Sequence, residues 1–277
     1  MEKRIDWASI EAKDKKALEA FKEGATWVRN AKKVSVLTGA GISVESGVPD
    51  FRSPQGVWAR FPIDEYGTID AFYKNPEKAW ELYRAIWKDI EDKKPNPAHI
   101  ALARLEENGY VSGIVTQNID NLHHKAGSKN VIEIHGDSRN LQCVFCGWVG
   151  PADVSRLMSS KEVPKCPECG KYLKPNVVFF GEDVRGLEEI NELLNGSDVM
   201  LVVGTSANVY PANTLPLRIK RAGGKVIEFN LKPSALSEGT IGFGLWDFGE
   251  SALDLLVLGP AGKTLPAFAD LVIGENN

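Results

Sequence analysis

Four cysteines fall as two pairs, Cys143-x2-Cys146 and Cys166-x2-Cys169, with 19 residues between the pairs. Each CxxC turn aims two thiolates at one tetrahedral ion, so the doubled arrangement points to a closed, structural metal site with no position left for a substrate. Two disulfides would suit an oxidising compartment rather than a reducing cytoplasm. A redox pair would need a local βαβ context that is missing here. Zinc is expected, and iron in a rubredoxin-like site stays open on the residues alone. Histidine is the side chain whose ordinary pKa suits a general base near neutrality. The chain has four: His99, His123, His124 and His135. His99 sits in Pro97-Ala98-His99-Ile100 at a helix start, and His123 and His124 follow Asn118-Ile119-Asp120-Asn121-Leu122, so these three read as supporting or capping residues. His135 closes the run Ile132-Glu133-Ile134 and precedes Gly136, which suits a side chain projecting from a strand end.

A different chemistry is written between Val34 and Trp58. The alternating Val34 and Val36 read as a strand that breaks into Gly39-Ala40-Gly41, followed by Ser43, Ser46 and Gly47. A glycine turn at a strand end lets backbone amides approach a pyrophosphate, with the positive end of the next helix behind them. The pattern departs from the standard dinucleotide fingerprint: Val44 stands where a third glycine would, and Pro49-Asp50-Phe51-Arg52 and Gly56-Val57-Trp58 follow. Taken alone, a single GxG is better read as a structural turn.

Further motifs join it: Thr116-Gln117-Asn118-Ile119-Asp120 after Gly113-Ile114-Val115, then Ile134-His135-Gly136, Lys174-Pro175-Asn176-Val177-Val178-Phe179-Phe180-Gly181-Glu182, and Gly204-Thr205-Ser206 before Val209-Tyr210-Pro211-Ala212. In this order, over roughly residues 30 to 235, the set resembles the sirtuins of prokaryotic type, NAD-dependent protein lysine deacylases. The resemblance implies that NAD is consumed as a co-substrate. The acyl-lysine carbonyl oxygen attacks the anomeric carbon, nicotinamide leaves, and the acyl group passes to ADP-ribose through an O-alkylimidate and the 2′-hydroxyl. It implies His135 as the catalytic base and Asn118 as the residue that positions ribose hydroxyls or a water. Gly39, Ala40, Gly41 and Ser43 match the phosphate turn. Asp50, Phe51, Arg52 and Trp58 fall in the cofactor loop, where Phe51 shields the reacting ribose and Arg52 pairs with phosphate. Gln117, Ile119 and Asp120 match ribose and carboxamide contacts. Gly204, Thr205 and Ser206, then Asn230, Leu231 and Ala261, match the diphosphate and adenosine side.

The segments Val177 to Glu182 and Gly204 to Ala212 resemble the two edges that hold an acyl-lysine peptide as an added strand. Val178, Phe180, Gly181, Glu182, Val209 and Tyr210 are the expected substrate contacts there. Tyr83 would join them from the helical insertion. Sirtuins selective for acidic acyl groups share a Tyr-x-x-Arg, whereas Tyr83-Arg84-Ala85-Ile86 has Ile86 in place of the arginine. Neutral acyl groups are therefore expected. A mono-ADP-ribosyltransferase, or a non-catalytic NAD-sensing or zinc interaction protein, are the competing readings.

The elements that must position these residues alternate between strand and helix, which implies an α/β chain: a Rossmann-like parallel sheet covered on both faces. Strands are expected at about 34–38, 112–116, 131–134, 199–203 and 225–229, and one helix over 9–29 with Leu18, Phe21, Ala25 and Val28 inward. Residues 1–43, 96–136 and 175–277 would form the NAD-binding domain. A helical insertion (44–95, rich in aromatics that form its own core) and the metal module (137–174) would form a smaller lobe. The stretch Gly239 to Gly249, with Trp246 and Phe248, makes an unusually long connection to Gly259-Pro260-Ala261-Gly262, the match to an adenine-side Gly-x-Ala-Gly. The formal net charge of −4 disfavours nucleic-acid binding. No signal peptide or membrane span is expected, so the expectation is a cytoplasmic monomer acting on acyl-lysine proteins or peptides.

Overall fold

Runs such as Val199-Met200-Leu201-Val202-Val203 are apolar on both faces, which is the signature of a strand sandwiched between helix layers. In the computed structural model, which describes residues 2–243, 246–247 and 252–274, these runs form one parallel sheet. The chain enters through β1 (Lys3–Asp6), α1 (Trp7–Glu11), α2 (Lys15–Asn30) and β2 (Val34–Thr38). A 3₁₀ turn, Ala40–Ser46, leads to the short helices α3 (Val57–Arg60), α4 (Ile63–Tyr66) and α5 (Ile69–Lys74), then α6 (Pro76–Ile90) and α7 (Pro97–Glu107). Next come β3 (Gly113–Thr116), α8 (Leu122–Lys125) and β4 (Val131–Glu133). The metal module follows with β5 (Gly136–Gln142), β6 (Val149–Pro151), α9 (Val154–Ser159) and β7 (Lys174–Val177). The chain closes through α10 (Leu187–Leu194), β8 (Val199–Val203), α11 (Leu215–Arg221), β9 (Lys225–Asn230), a short hairpin β10 (Gly242–Phe243) and β11 (Trp246–Asp247), β12 (Leu255–Leu258) and α12 (Ala261–Ile273).

The main sheet has seven strands in the order β1-β12-β9-β8-β2-β3-β4, all parallel. Alternate side chains feed two cores. Val199, Leu201 and Val203 meet Phe21, Leu102 and Phe268 of α2, α7 and α12, whereas Met200 and Val202 meet Leu193 and Leu215 on the α10–α11 side. The five expected strands are present, and β1 and β12 extend the sheet by two. The polar N-terminal stretch becomes an edge strand because Ile5 is buried while its partners Lys3, Arg4 and Asp6 are exposed.

The single helix expected over 9–29 is instead two. Lys13 adopts a left-handed φ of 57°, and Asp14 caps the second helix by accepting from the Ala17 amide at 2.9 Å. The restart puts Ala17 and Ala20 in the core with Phe21, Ala25 and Val28, and leaves Leu18 only half-buried.

Both insertions share a third core, in which Phe72, Trp80, Tyr83 and Trp87 pack with Leu157, Cys143 and Cys166. Trp80 Nε1 donates to the Leu173 carbonyl and Trp87 Nε1 to that of Ser138, so buried indoles stitch the helical insertion to the metal module. Tyr73 is the exception among the aromatics expected inside, standing 53% exposed. The module's antiparallel sheet, β6-β5-β7, runs on through Val177, past the expected end at 174. Part of the long 239–249 connection, Phe248 included, lies outside the described residues.

Candidate active site

The strand ends of β2, β3, β4, β8 and β9 deliver the predicted residues to one side of the sheet, where the second lobe overhangs it. Two glycine turns meet first. The Gly41 amide donates to the Gly204 carbonyl at 2.8 Å, and a Cβ built on Gly41 would stand 2.7 Å from that oxygen. These glycines therefore serve a loop-to-loop contact as well as any approach by phosphate. Thr205 Oγ1 accepts from Gln117 Nε2 at 3.0 Å, which ties the β3 end to the β8 end.

Below the turn lies a buried polar network whose protons can be assigned. Asn96 donates its amide to His99 Nδ1, so His99 carries its proton on Nε2, 3.4 Å from Ser43 Oγ. Ser43 donates to Asp120 Oδ2 at 2.6 Å and accepts from Asn118 Nδ2 at 3.1 Å. Asn118 Nδ2 also donates to the Gly39 carbonyl. Thr38 donates to Thr116 at 2.8 Å, which leaves His123 Nε2 as the donor to Thr38. Burial pushes His99 down to about 4 and His123 well below the ordinary value, so both are neutral at physiological pH. Burial raises Asp120, and its bonds from Ser43 and the Leu122 amide pull the other way.

His135 sits two residues past β4, half-buried. Its Nδ1 is 3.0 Å from the Gln117 carbonyl, an oxygen that can only accept, so Nδ1 holds the proton and Nε2 is left bare. Burial lowers its pKa. The Gln117 carbonyl counters that, and the charge of Arg52 adds to the lowering, which places Arg52 within electrostatic reach. Desolvation also lowers Arg52 itself.

Ala40, Phe51, Asn118, Ile119 and Asp120 line one cavity with Val48, Pro49, Val57, Ile86, Asp89 and Ile90. Of the last six, Ile86 is the position weighed above for acyl choice. The other five were not singled out, since Val48, Pro49, Val57 and Ile90 are apolar and Asp89 is a lone carboxylate outside any motif, and neither carries a chemical signature in sequence. Asp50 holds the loop together by accepting from the Arg52 and Ser53 amides. Phe51, Trp58 and Phe180 form a continuous aromatic wall, with ring centroids 5.5 and 5.8 Å apart. Val209 is half-buried, Ser206 and Gly181 are exposed, and Tyr210 and Leu231 are exposed at 57% and 59%.

Four predicted residues are placed differently from a simple ligand contact. Tyr83 is 4% exposed and stacks on Phe179 at 5.1 Å. Glu182 turns inward, accepting from the Phe179 amide at 2.7 Å and pairing with Lys174 at 3.0 Å. Asn230 donates from Nδ2 to the Thr205 carbonyl and to Glu228, and its Oδ1 accepts from the Leu231 amide. Ala261 is buried at the start of α12, and next to it Gly262 donates its amide to Glu45 at 2.6 Å.

The four cysteine sulfurs lie within 4.8 Å of one another. Zinc–sulfur bonds of about 2.3 Å in a tetrahedron need sulfurs about 3.8 Å apart. Cys143 and Cys169 are 3.5 Å apart and Cys146 and Cys166 3.6 Å, so the donor set fits. Both knuckles end on a glycine in the left-handed region, Gly147 at 77° and Gly170 at 72°.

A model of the Sir2 family matches residues 39–211. The NAD-dependent protein deacylase of Pyrococcus furiosus is 42% identical over 239 residues, spanning 84% of this chain and 90% of that protein. A crystal structure of a Sir2 homolog–NAD complex superposes with a TM-score of 0.81 at 35% identity, covering 92% of this chain and 94% of the other. A Sir2–p53 peptide–NAD+ structure does so with a TM-score of 0.74 at 36% identity, covering 92% and 98%.

Proposed function

The chain belongs to the Sir2 family, and on that premise we propose how the residues of its cleft carry out NAD-dependent protein lysine deacylation. The reaction converts NAD, acyl-lysine and water into nicotinamide, free lysine and O-acyl-ADP-ribose. The cofactors are NAD as co-substrate and structural zinc on Cys143, Cys146, Cys166 and Cys169.

His135 is the general base for the ribose hydroxyl. The observation that carries this role is the bond of its Nδ1 to the Gln117 carbonyl, which fixes the tautomer and turns the basic Nε2 outward. Asn118 is held by Ser43 and Gly39 beside the phosphate turn, in reach of a ribose hydroxyl or a water. Asp120 offers a carboxylate to the nicotinamide carboxamide at the cavity wall. Phe51 and Trp58 exclude water from the reacting face, and Arg52 pairs with phosphate. Asn230 acts on the adenosine side by joining the β9 end to the Thr205 loop, since its amide is already bonded on both ends.

The substrate is an acyl-lysine protein or peptide laid between the segment after β7 and the segment after β8, with Val178 and Phe180 beside the acyl-lysine stem. Neutral acyl groups are favoured. Ile86 faces the cavity that also holds Asp120 and Asp89, and Arg84 is committed to the Leu157 and Glu162 carbonyls of the metal module. Among the described residues no helix is long and apolar enough to cross a membrane, and the reading includes a monomer acting in the cytoplasm.

The test is His135→Ala. The variant should fold and keep its zinc, yet lose deacylation by about 10² to 10⁴, the usual worth of a general base. Near-full activity on an acetyl-lysine peptide would remove His135 from the role.

A further inference from the structure

Among the described residues, Lys174 is the one lysine in the set of largest fully buried side chains. Its Nζ donates to the Val177 carbonyl at 2.5 Å and the Pro175 carbonyl at 3.4 Å, and it stands 4.5 Å over the Phe179 ring. Its charge is met by Glu182 at 3.0 Å, and the same carboxylate oxygen accepts the Phe179 amide at 2.7 Å. One ion pair therefore grips segment 177–182 at its start, middle and end. The other side of the segment is fixed as well. The Val178 amide donates to the carbonyl of His135 at 2.8 Å, the Phe180 amide to Gly67, and the Ile69 amide to Phe180.

We propose that Lys174 and Glu182 are positioning residues that hold segment 177–182 in register with His135, so that the acyl-lysine peptide laid along it meets the base. The inference rests on the deacylase reading of the cleft and goes further, because neither side chain touches substrate. A buried ion pair adds little stability over an apolar pair of the same volume, so a lysine in this core is better explained by the geometry it fixes. The segment is extended and crosses from one lobe to the other. Without the ion pair, the segment would be held by the Val177–Gly136 pairing, backbone bonds to Gly67, Ile69 and His135, and ring contacts of Phe179 and Phe180, with no side chain tying its start to its end. Burial lowers Lys174 to about 8, with Glu182 opposing and Arg185 adding to the lowering, so the lysine keeps its charge at neutral pH.

The test compares the zinc-loaded chain with Glu182→Gln, Lys174→Met and Lys174→Arg. It reads affinity for a fluorescent acetyl-lysine peptide, then KM for the peptide and for NAD. A displacement of 1 Å at a reacting geometry can cost about 10²-fold. Glu182→Gln and Lys174→Met should therefore weaken peptide affinity and raise peptide KM by roughly 10- to 100-fold. The KM for NAD should stay within about twofold, and Lys174→Arg should recover most of the loss. If Lys174→Met does not fold, Glu182→Gln decides, since it removes a charge and almost no volume. Folded variants with unchanged peptide affinity would overturn the proposal, as would equal rises in both KM values. An unmutated chain that binds the peptide yet removes no acetyl group with NAD would sink the deacylase reading instead, leaving the clamp to be judged on affinity alone.

Discussion

In the base role proposed for His135, one problem is solved by proton placement. A base must be unprotonated and must present the correct nitrogen, and the Gln117 carbonyl secures the second condition by binding Nδ1–H. Burial and the Arg52 charge secure the first by holding the imidazole below its ordinary value of 6.5. Because the folded pKa is lowered, the active neutral form persists as pH falls past 6.5 and is lost only below it. The acid limb of kcat/KM should accordingly lie below that of a free histidine, and Arg52→Ala should move it upward. A limb at or above the ordinary value would contradict the environment described. The placement of His135 past a strand end and the clustering of the four cysteines were legible in sequence because each signal is local: a residue type at a strand end, or a spacing within a turn. Lys174, and the inward turn of Glu182, were not, because their burial is created by Phe179, which the sequence does not mark as different from Phe180.

At the scale of elements, the metal module is too small to hold a core alone, so the ion and the two indole bonds from α6 must do it. Metal analysis should find one zinc per chain and no visible absorption, and strong chelation or Cys166→Ala should lower thermal stability before altering chemistry in the surviving fold. An iron-type visible spectrum in aerobically prepared protein would sink the zinc assignment. On the proposed reading, the α6 surface also carries the acyl choice. A succinyl carboxylate entering beside Ile86 would meet Asp120 and Asp89, with Arg60 already paired to Asp89 at 2.8 Å. Leaving a charge buried without its partner costs several kcal/mol, so acetyl should be removed at least roughly tenfold faster than succinyl. Equal rates would show that a cation reaches the tunnel or that Ile86 lies outside it. The five strands rich in β-branched residues could be read from their own composition. Strand β1 could not, since Lys3-Arg4-Ile5-Asp6 has one inward side chain and exists only because β12 offers an edge. The break in the first helix turns on the left-handed Lys13, a conformation that the apolar spacing of 9–29 does not encode.

At the scale of the molecule, a parallel sheet gathers its strand ends on one side, and two insertions fused through a shared aromatic core overhang them. On the proposed reading, that arrangement lets residues from five strand ends and a helical insertion act on one dinucleotide and one peptide. The central claim is that the acyl group leaves lysine for ADP-ribose. Mass analysis of products from the purified chain with NAD and an acetyl-lysine peptide tests it most directly. The account predicts free-lysine peptide, nicotinamide and O-acetyl-ADP-ribose in equal amounts, with none formed when NAD is omitted. A peptide that keeps its acetyl group and gains the mass of ADP-ribose would contradict it.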